Sequence, residues 1–201
     1  MHRSLLIIAL ALAGLALQGC DSPKLDPIGN GTILAFGDSL TLGVGTSKEN
    51  SYPAVLSELT GLNVINSGVS GETTTQGVKR LSIELERTNP SLLILIEGGN
   101  DILQNKNQNE IKNNVKTMIE IAKSQGIQIV LIGIPLKSLF SDSAPLYVEL
   151  ADEYKLVFDG TLIGDLQRSP SLKSDSVHFN TKGYRKMAES IYELLADNGA
   201  I

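Results

Sequence analysis

Five short apolar runs, each ended by a glycine or a turn and separated by stretches of helical spacing, constrain this chain most. Leu92-Leu93-Ile94-Leu95-Ile96 is the clearest run. Five aliphatic residues between Pro90 and Gly98 are too few for a helix of their own. They are also too apolar for a strand with one wet face, so the run reads as a strand buried on both sides. Thr32–Phe36, Asn63–Asn66, Ile127–Ile134 and Leu156–Phe158 read as the other four strands. Between them, Ser51-Tyr52-Pro53 opens a helix that Gly61 closes. Residues 75–88 place Val78, Leu81 and Leu85 on one helical face. Residues 110–124 do the same with Ile111, Val115, Met118, Ile119 and Ala122 before Gly126. Residues 143–153 read as a helix, and Tyr184, Met187, Ala188, Ile191, Leu194 and Leu195 line a closing one. This alternation predicts an α/β fold: a doubly wound parallel sheet of five strands with helices on both faces and right-handed crossovers. Sites in such sheets form beyond the carboxyl ends of the strands.

The loops at those ends carry the chemistry. Gly37-Asp38-Ser39-Leu40 follows strand one, Asn66 to Thr73 follows strand two, and Gly98-Gly99-Asn100-Asp101 follows strand three. Asp175-Ser176-Val177-His178 precedes the last helix. Acyl transfer needs a nucleophile, a base, an orienter for the base and donors for the oxyanion. Ser39 at a strand-to-helix turn suits the nucleophile. The only histidine beyond residue 2 is His178, with Asp175 three residues earlier to fix its tautomer. Backbone N–H groups of Ser39 and Gly71 and the Asn100 amide are candidate oxyanion donors, and Gly71 has no Cβ to keep a substrate away. Taken singly, each fragment has a plainer reading. Asp-Ser before a helix is a cap, Gly-Gly-Asn-Asp a turn, and Asp175 to His178 a solvated loop.

Taken together, the four blocks, in this order and spacing, resemble the SGNH (GDSL) hydrolases. From about Thr32 to Tyr192 the chain is most similar to the bacterial periplasmic acyl-thioesterase, lysophospholipase and arylesterase group. The resemblance implies a flavodoxin-like sheet ordered 2-1-3-4-5. It implies Ser39 as nucleophile and oxyanion donor, Gly71 and Asn100 as further donors, and Asp175 with His178 completing a catalytic triad. It implies no metal and no cofactor. One departure is visible: Phe179 stands where the family usually has proline, and it becomes a candidate wall of the acyl pocket.

Other functions fit less well. A formal net charge of −5 without a basic cluster would repel phosphate backbones, so no nucleic-acid partner is expected. The Gly68–Thr74 loop lacks the Gly-Lys-Ser/Thr of a phosphate-binding loop. One histidine and one cysteine do not supply a zinc ligand set. Glu72, Glu97 and Asp101 offer oxygen ligands for a hard cation, or simply structural carboxylates. A flavodoxin-like carrier and a catalytically silent binding module remain as alternatives. The segment Pro135-Leu136-Lys137-Ser138-Leu139-Phe140 is expected either to wall an acyl pocket or to pack in the core. The expected substrate is a fatty acyl ester, arylester, thioester or lysophospholipid, with an acetylated saccharide as runner-up.

The N-terminus reads as an export signal. Arg3 is followed by an apolar run from Leu5 to Leu17, shorter than the roughly 20 residues of a membrane span. Leu17-Gln18-Gly19-Cys20 then resembles a bacterial lipoprotein signal, which implies acylation of Cys20, the sole cysteine. On this reading residues 1–19 are the signal, 20–31 the lipidated cysteine and a tether with nothing to pack, and 32–201 the hydrolase domain. Removing Arg3 takes the mature charge from −5 to −6. The expected product is an exported lipoprotein, held at the periplasmic side of a membrane by its lipid and acting as a monomer. In enterobacterial lipoproteins, Asp21 would imply the inner membrane.

Overall fold

The computed structural model describes residues 22–137 and 142–201. Five parallel strands form one sheet: β1 (Ile33–Gly37), β2 (Val64–Gly68), β3 (Leu92–Ile96), β4 (Gln128–Ile132) and β5 (Val157–Asp159). Their order is β2-β1-β3-β4-β5. Every residue of β1 and β3 is buried, as their uninterrupted apolar sequences require of a sheet covered on both faces. Eight helices are present among the described residues: α1 (Ser39–Leu42), α2 (Tyr52–Thr60), α3 (Thr74–Thr88), α4 (Gly99–Leu103), α5 (Gln108–Ser124), α6 (Pro145–Tyr154), α7 (Leu162–Gln167) and α8 (Thr181–Asp197). α2 packs on α8, and α3 on α5 and α5 on α6, so two helical layers enclose the sheet. Most of the apolar stripes predicted for α3, α5 and α8 are buried (Leu81 and Leu85, then Ile111 to Ala122, then Tyr184, Met187, Ala188, Ile191 and Leu195), while Val78 and Leu194 are half-buried.

The strand order places the site. From β1 the chain runs to β2 on one side and then returns to the other side of β1 as β3. At this reversal the loops after β1 and β3 lie side by side, which is where ligands bind in open α/β sheets. The register sets Gly37 level with Gly68 on one neighbour and Ile96 on the other. A side chain at Gly37 would come within 2.2 Å of the Ile96 carbonyl and 2.4 Å of Thr41 Oγ1. Only glycine lets β1 turn so tightly into α1.

Four features differ from the sequence expectation. β2 runs on to Gly68 rather than ending at Asn66, because Ser67 and Gly68 still pair with Phe36 and Gly37. β4 ends at Ile132 rather than Ile134, because its partner β5 supplies only three residues, Val157–Asp159. The helices α1, α4 and α7 have four, five and six residues, too few to leave a periodic signature. Residues before Thr32 do find packing: Leu25 and Ile28 are buried. Their N–H groups donate to the carbonyls of Asn198 and Ala200, both at 2.9 Å. Two apolar residues three apart are enough to seal the amino-terminal end of the sheet, beside Gln128 of β4, whose amide bonds both ways with the Asp26 backbone. The chain therefore joins the folded body near Lys24, at the end of the sheet opposite the loops that follow the strands' carboxyl ends. The segment read as an export signal, Cys20 and Asp21 lie outside the described residues.

Candidate active site

Each block of the sequence contributes one wall. Asp38 caps α1, its Oδ1 accepting from the Leu40 N–H at 2.9 Å, so Ser39 occupies the first helical position. The hydroxyl of Ser39 meets His178 Nε2 at 3.0 Å, across 139 residues of sequence. His178 Nδ1 meets Asp175 Oδ2 at 2.8 Å, while Asp175 Oδ1 accepts the N–H groups of Val177 (2.7 Å) and His178 (2.8 Å). Those bonds, that of the His178 N–H foremost, lower the Asp175 carboxyl to a pKa of about 2.

The loop holding His178 is fixed at both ends. The Ser174 N–H donates to the His178 carbonyl, and Lys173 bridges Phe179. Asn180 caps α8 and its amide also donates to the carbonyls of Ser171 and Lys173. Phe179 does not line the cleft. It is fully buried, edge-on to Tyr184 with ring centroids 5.6 Å apart, because the chain turns it inward between the loop and α8. That packing fixes the loop without the family's usual proline.

Asn100 approaches from α4. Gly98 adopts φ +110°, open to glycine, and ends β3 in a turn whose preceding carbonyl, of Glu97, accepts from the Tyr147 hydroxyl at 2.7 Å. The Asn100 amide nitrogen donates to the Glu72 carbonyl at 2.8 Å and, less closely, to Asp38 Oδ2 at 3.3 Å. Asn100 thus joins the loops after β1, β2 and β3. Gly71, at φ +77°, directly precedes Glu72. Among the described residues, the N–H groups of Ser39 and Gly71 donate to no protein acceptor.

Four buried carboxyls surround these groups, and beyond the capping role of Asp38 the sequence did not disclose their tasks. Asp101 caps α3 from a distance, accepting the Thr74 N–H at 2.8 Å and its hydroxyl at 3.0 Å. Glu72 pairs with Arg80, whose guanidinium lies 4.0 Å over the Phe36 ring. Burial raises Asp38 to a pKa of about 6, against the opposing Leu40 N–H bond and the charge of His178. The folded chain therefore binds a proton there between pH 3.8 and 6, and this group's contribution to stability falls as pH rises through that window. No three acidic, histidine or cysteine residues cluster to hold a metal among the described residues. Glu72 and Asp101 are occupied by Arg80 and the start of α3.

A cleft of about 720 Å³ opens beside Ser39 and Asn100. Ile102, Leu103, Ile134, Leu136 and Ile163 give it an apolar wall, with Lys137, Arg168 and Lys173 also lining it. Of the expected wall segment, Pro135 to Lys137 line this cleft; Ser138, Leu139 and Phe140 lie outside the described residues.

A serine–imidazole–carboxylate relay at the reversal point of a doubly wound sheet is the geometry of a nucleophilic acyl-transfer site. The model of the GDSL-like lipase/acylhydrolase family matches residues 35–186, and the chain belongs to that family. Esterase TesA of Pseudomonas aeruginosa is 28% identical over 123 residues, which cover 59% of this chain and 60% of TesA. The chain thus aligns with less than two thirds of that relative. The esterase AlinE4, of the SGNH-hydrolase family, superposes with a TM-score of 0.66 at 30% identity, over 84% of this chain and 96% of that one. The psychrotrophic esterase EstA from Pseudoalteromonas sp., in a structure inhibited by monoethylphosphonate, superposes with a TM-score of 0.76 at 20% identity, over 84% and 98%, a likeness of fold.

Proposed function

We propose that the protein is a serine esterase that hydrolyses carboxylic esters or thioesters through an acyl-enzyme on Ser39. The observation that carries this reading is the unbroken chain from Ser39 Oγ to His178 to Asp175, at 3.0 and 2.8 Å. His178 takes the Ser39 proton as Oγ attacks the carbonyl carbon. The oxyanion is received by the free N–H groups of Ser39 and Gly71 and by the Asn100 amide, which gives up its long contact to Asp38. His178 returns the proton to the departing alcohol or thiol. Water then attacks the acyl-enzyme with His178 as base, releasing the acid and restoring Ser39. The relatives named esterases, at 28% and 30% identity, support the same chemistry.

Removing one oxyanion donor typically lowers turnover by about 10²–10³-fold. Asn100→Ala is expected to fall in that range in kcat while still folding, with a lowered unfolding midpoint from the lost bond to the Glu72 carbonyl. Unchanged kcat would remove Asn100 from the mechanism.

The cleft's aliphatic wall favours an apolar acyl chain, and a row of p-nitrophenyl esters from acetate to palmitate tests this directly. Turnover peaking at medium or long chains is expected. A peak at acetate would instead favour deacetylation of saccharides, and no turnover by folded protein would favour a binding module.

The proposal extends to location: an exported, monomeric lipoprotein acylated on Cys20. Four residue steps lead from Cys20 to Lys24, where the chain joins the folded body. Fully extended they span at most about 14 Å. The folded body is about 40 Å across by its length, and the site lies at its far end. The anchored enzyme therefore draws its ester from the aqueous phase rather than from the bilayer beneath it.

A further inference from the structure

Three buried carboxyls act on one another's charge: Asp38, Glu72 and Glu97 are 3%, 4% and 1% exposed. Two have partners suited to an anion. Asp38 accepts from Leu40 and Asn100, and Glu72 is clasped by Arg80, which also binds Ser67. Glu97 has no cation. Its Oε2 accepts the Gly98 N–H at 3.1 Å, and its buried Oε1 receives no donor. Oε1 lies beside Gly77, where the nearest other atoms belong to Met118 and Phe36. A charged oxygen against that wall would be stranded.

The Glu97 carboxyl is also within hydrogen-bond reach of the Glu72 carboxyl. Two carboxylates repel each other, and a bond between two carboxyls requires a proton on one of them. Arg80 holds Glu72 as the anion, which leaves the proton on Glu97. Burial first, then the charge of Asp38 and the contact with Glu72, push Glu97 well above the usual carboxyl range.

We infer that Glu97 is a positioning residue for the proposed reaction, a carboxylic acid that donates to Glu72 and thereby sets the carbonyl that holds Asn100. The inference rests on the reading of Asn100 as an oxyanion donor. Glu97 adds a constraint to the Glu72 loop that Arg80 alone does not give, since Arg80 is itself partly exposed on α3. The charged and titratable groups that face Glu97 are Asp38 after β1, Glu72 and Arg80 from the β2–α3 segment, and Tyr147 from α6. Asp101 stands one turn further along its own chain. When Glu97 loses its proton it gains a negative charge beside Glu72 and Asp38, and the carboxyl–carboxyl bond is lost. Turnover then declines on the alkaline side while substrate affinity holds.

The test compares wild type, Glu97→Gln and Glu97→Leu on a soluble p-nitrophenyl ester from pH 6 to 10, with circular dichroism at each pH. Glu97→Gln donates to Glu72 and accepts from Gly98 but cannot ionise. It should keep kcat near neutral pH within about twofold and lack the alkaline decline. Glu97→Leu has no donor and should lose about tenfold in kcat, less than removal of the donor itself, with KM little changed. Identical alkaline profiles for wild type and Glu97→Gln would overturn the inference, even if Glu97→Leu fails to fold. So would wild-type kcat in folded Glu97→Leu. Asn100→Ala run alongside separates the two readings. If it loses activity while the Glu97 variants do not, only the role of Glu97 falls. If it keeps full activity, the assignment of Asn100 has failed first.

Discussion

Replacing Ser39 with alanine is expected to lower kcat by about 10⁵–10⁶-fold, the scale seen when a serine nucleophile is removed from a triad that works as a unit. The fold should survive. Ser39 is 6% exposed, and its hydroxyl makes one bond, to His178 Nε2. Losing one such bond changes stability by about 1 kcal/mol. Asp38 would still cap α1 through Leu40. Thermal unfolding and ester turnover, measured on the same preparation, separate the two effects. A drop in kcat with a midpoint lowered by no more than a few degrees assigns the loss to chemistry. Retained turnover in a clean Ser39→Ala preparation would remove the nucleophile from the account.

The second large effect is expected at Asp175. Asparagine there can still accept the Val177 and His178 N–H groups through one oxygen, so the loop keeps its turn. Its amide nitrogen would then face His178 Nδ1 and demand an acceptor there. The ring would carry its proton on Nε2, pointing at Ser39, and would no longer serve as a base. A loss of about 10⁴-fold in kcat follows from the wrong tautomer alone. Because the wild-type carboxyl is lowered from 3.8 to about 2, it stays ionised over the whole working range. Its contribution to stability is complete above pH 3.8 and disappears as pH falls through 2. Acid loss of activity above pH 4 therefore does not originate at Asp175. A rate within tenfold of wild type in Asp175→Asn would contradict its role as orienter.

How much of this was legible in the sequence depends on the length of the signal. Leu92–Ile96 and the stripes of α3, α5 and α8 repeat a pattern long enough to identify. The parallel five-stranded sheet and its helical layers followed from them. The site loops were legible because glycine, aspartate, serine and asparagine accumulate where strands end, and because only one histidine lies beyond residue 2. The four-residue α1 and five-residue α4 carry no period and emerge only from caps and tight turns. Leu25 and Ile28 were hidden by the prolines and glycines around them. Phe179 was misplaced because a hydrophobic residue after the histidine fits an acyl wall and a core position equally; the backbone turn decides between them. Glu97 is legible as a carboxylate in any reading of the chain. Its proton and its partner depend on side chains brought from three separate loops.

The most direct test of the central claim is labelling of residues 21–201 by a fluorophosphonate, with the modified residue located by tandem mass spectrometry. One stoichiometric adduct on Ser39, abolished in Ser39→Ala and in denatured protein, is the predicted result. Folded protein that takes no label, or takes it at another residue, would contradict the assignment of Ser39 as an activated nucleophile.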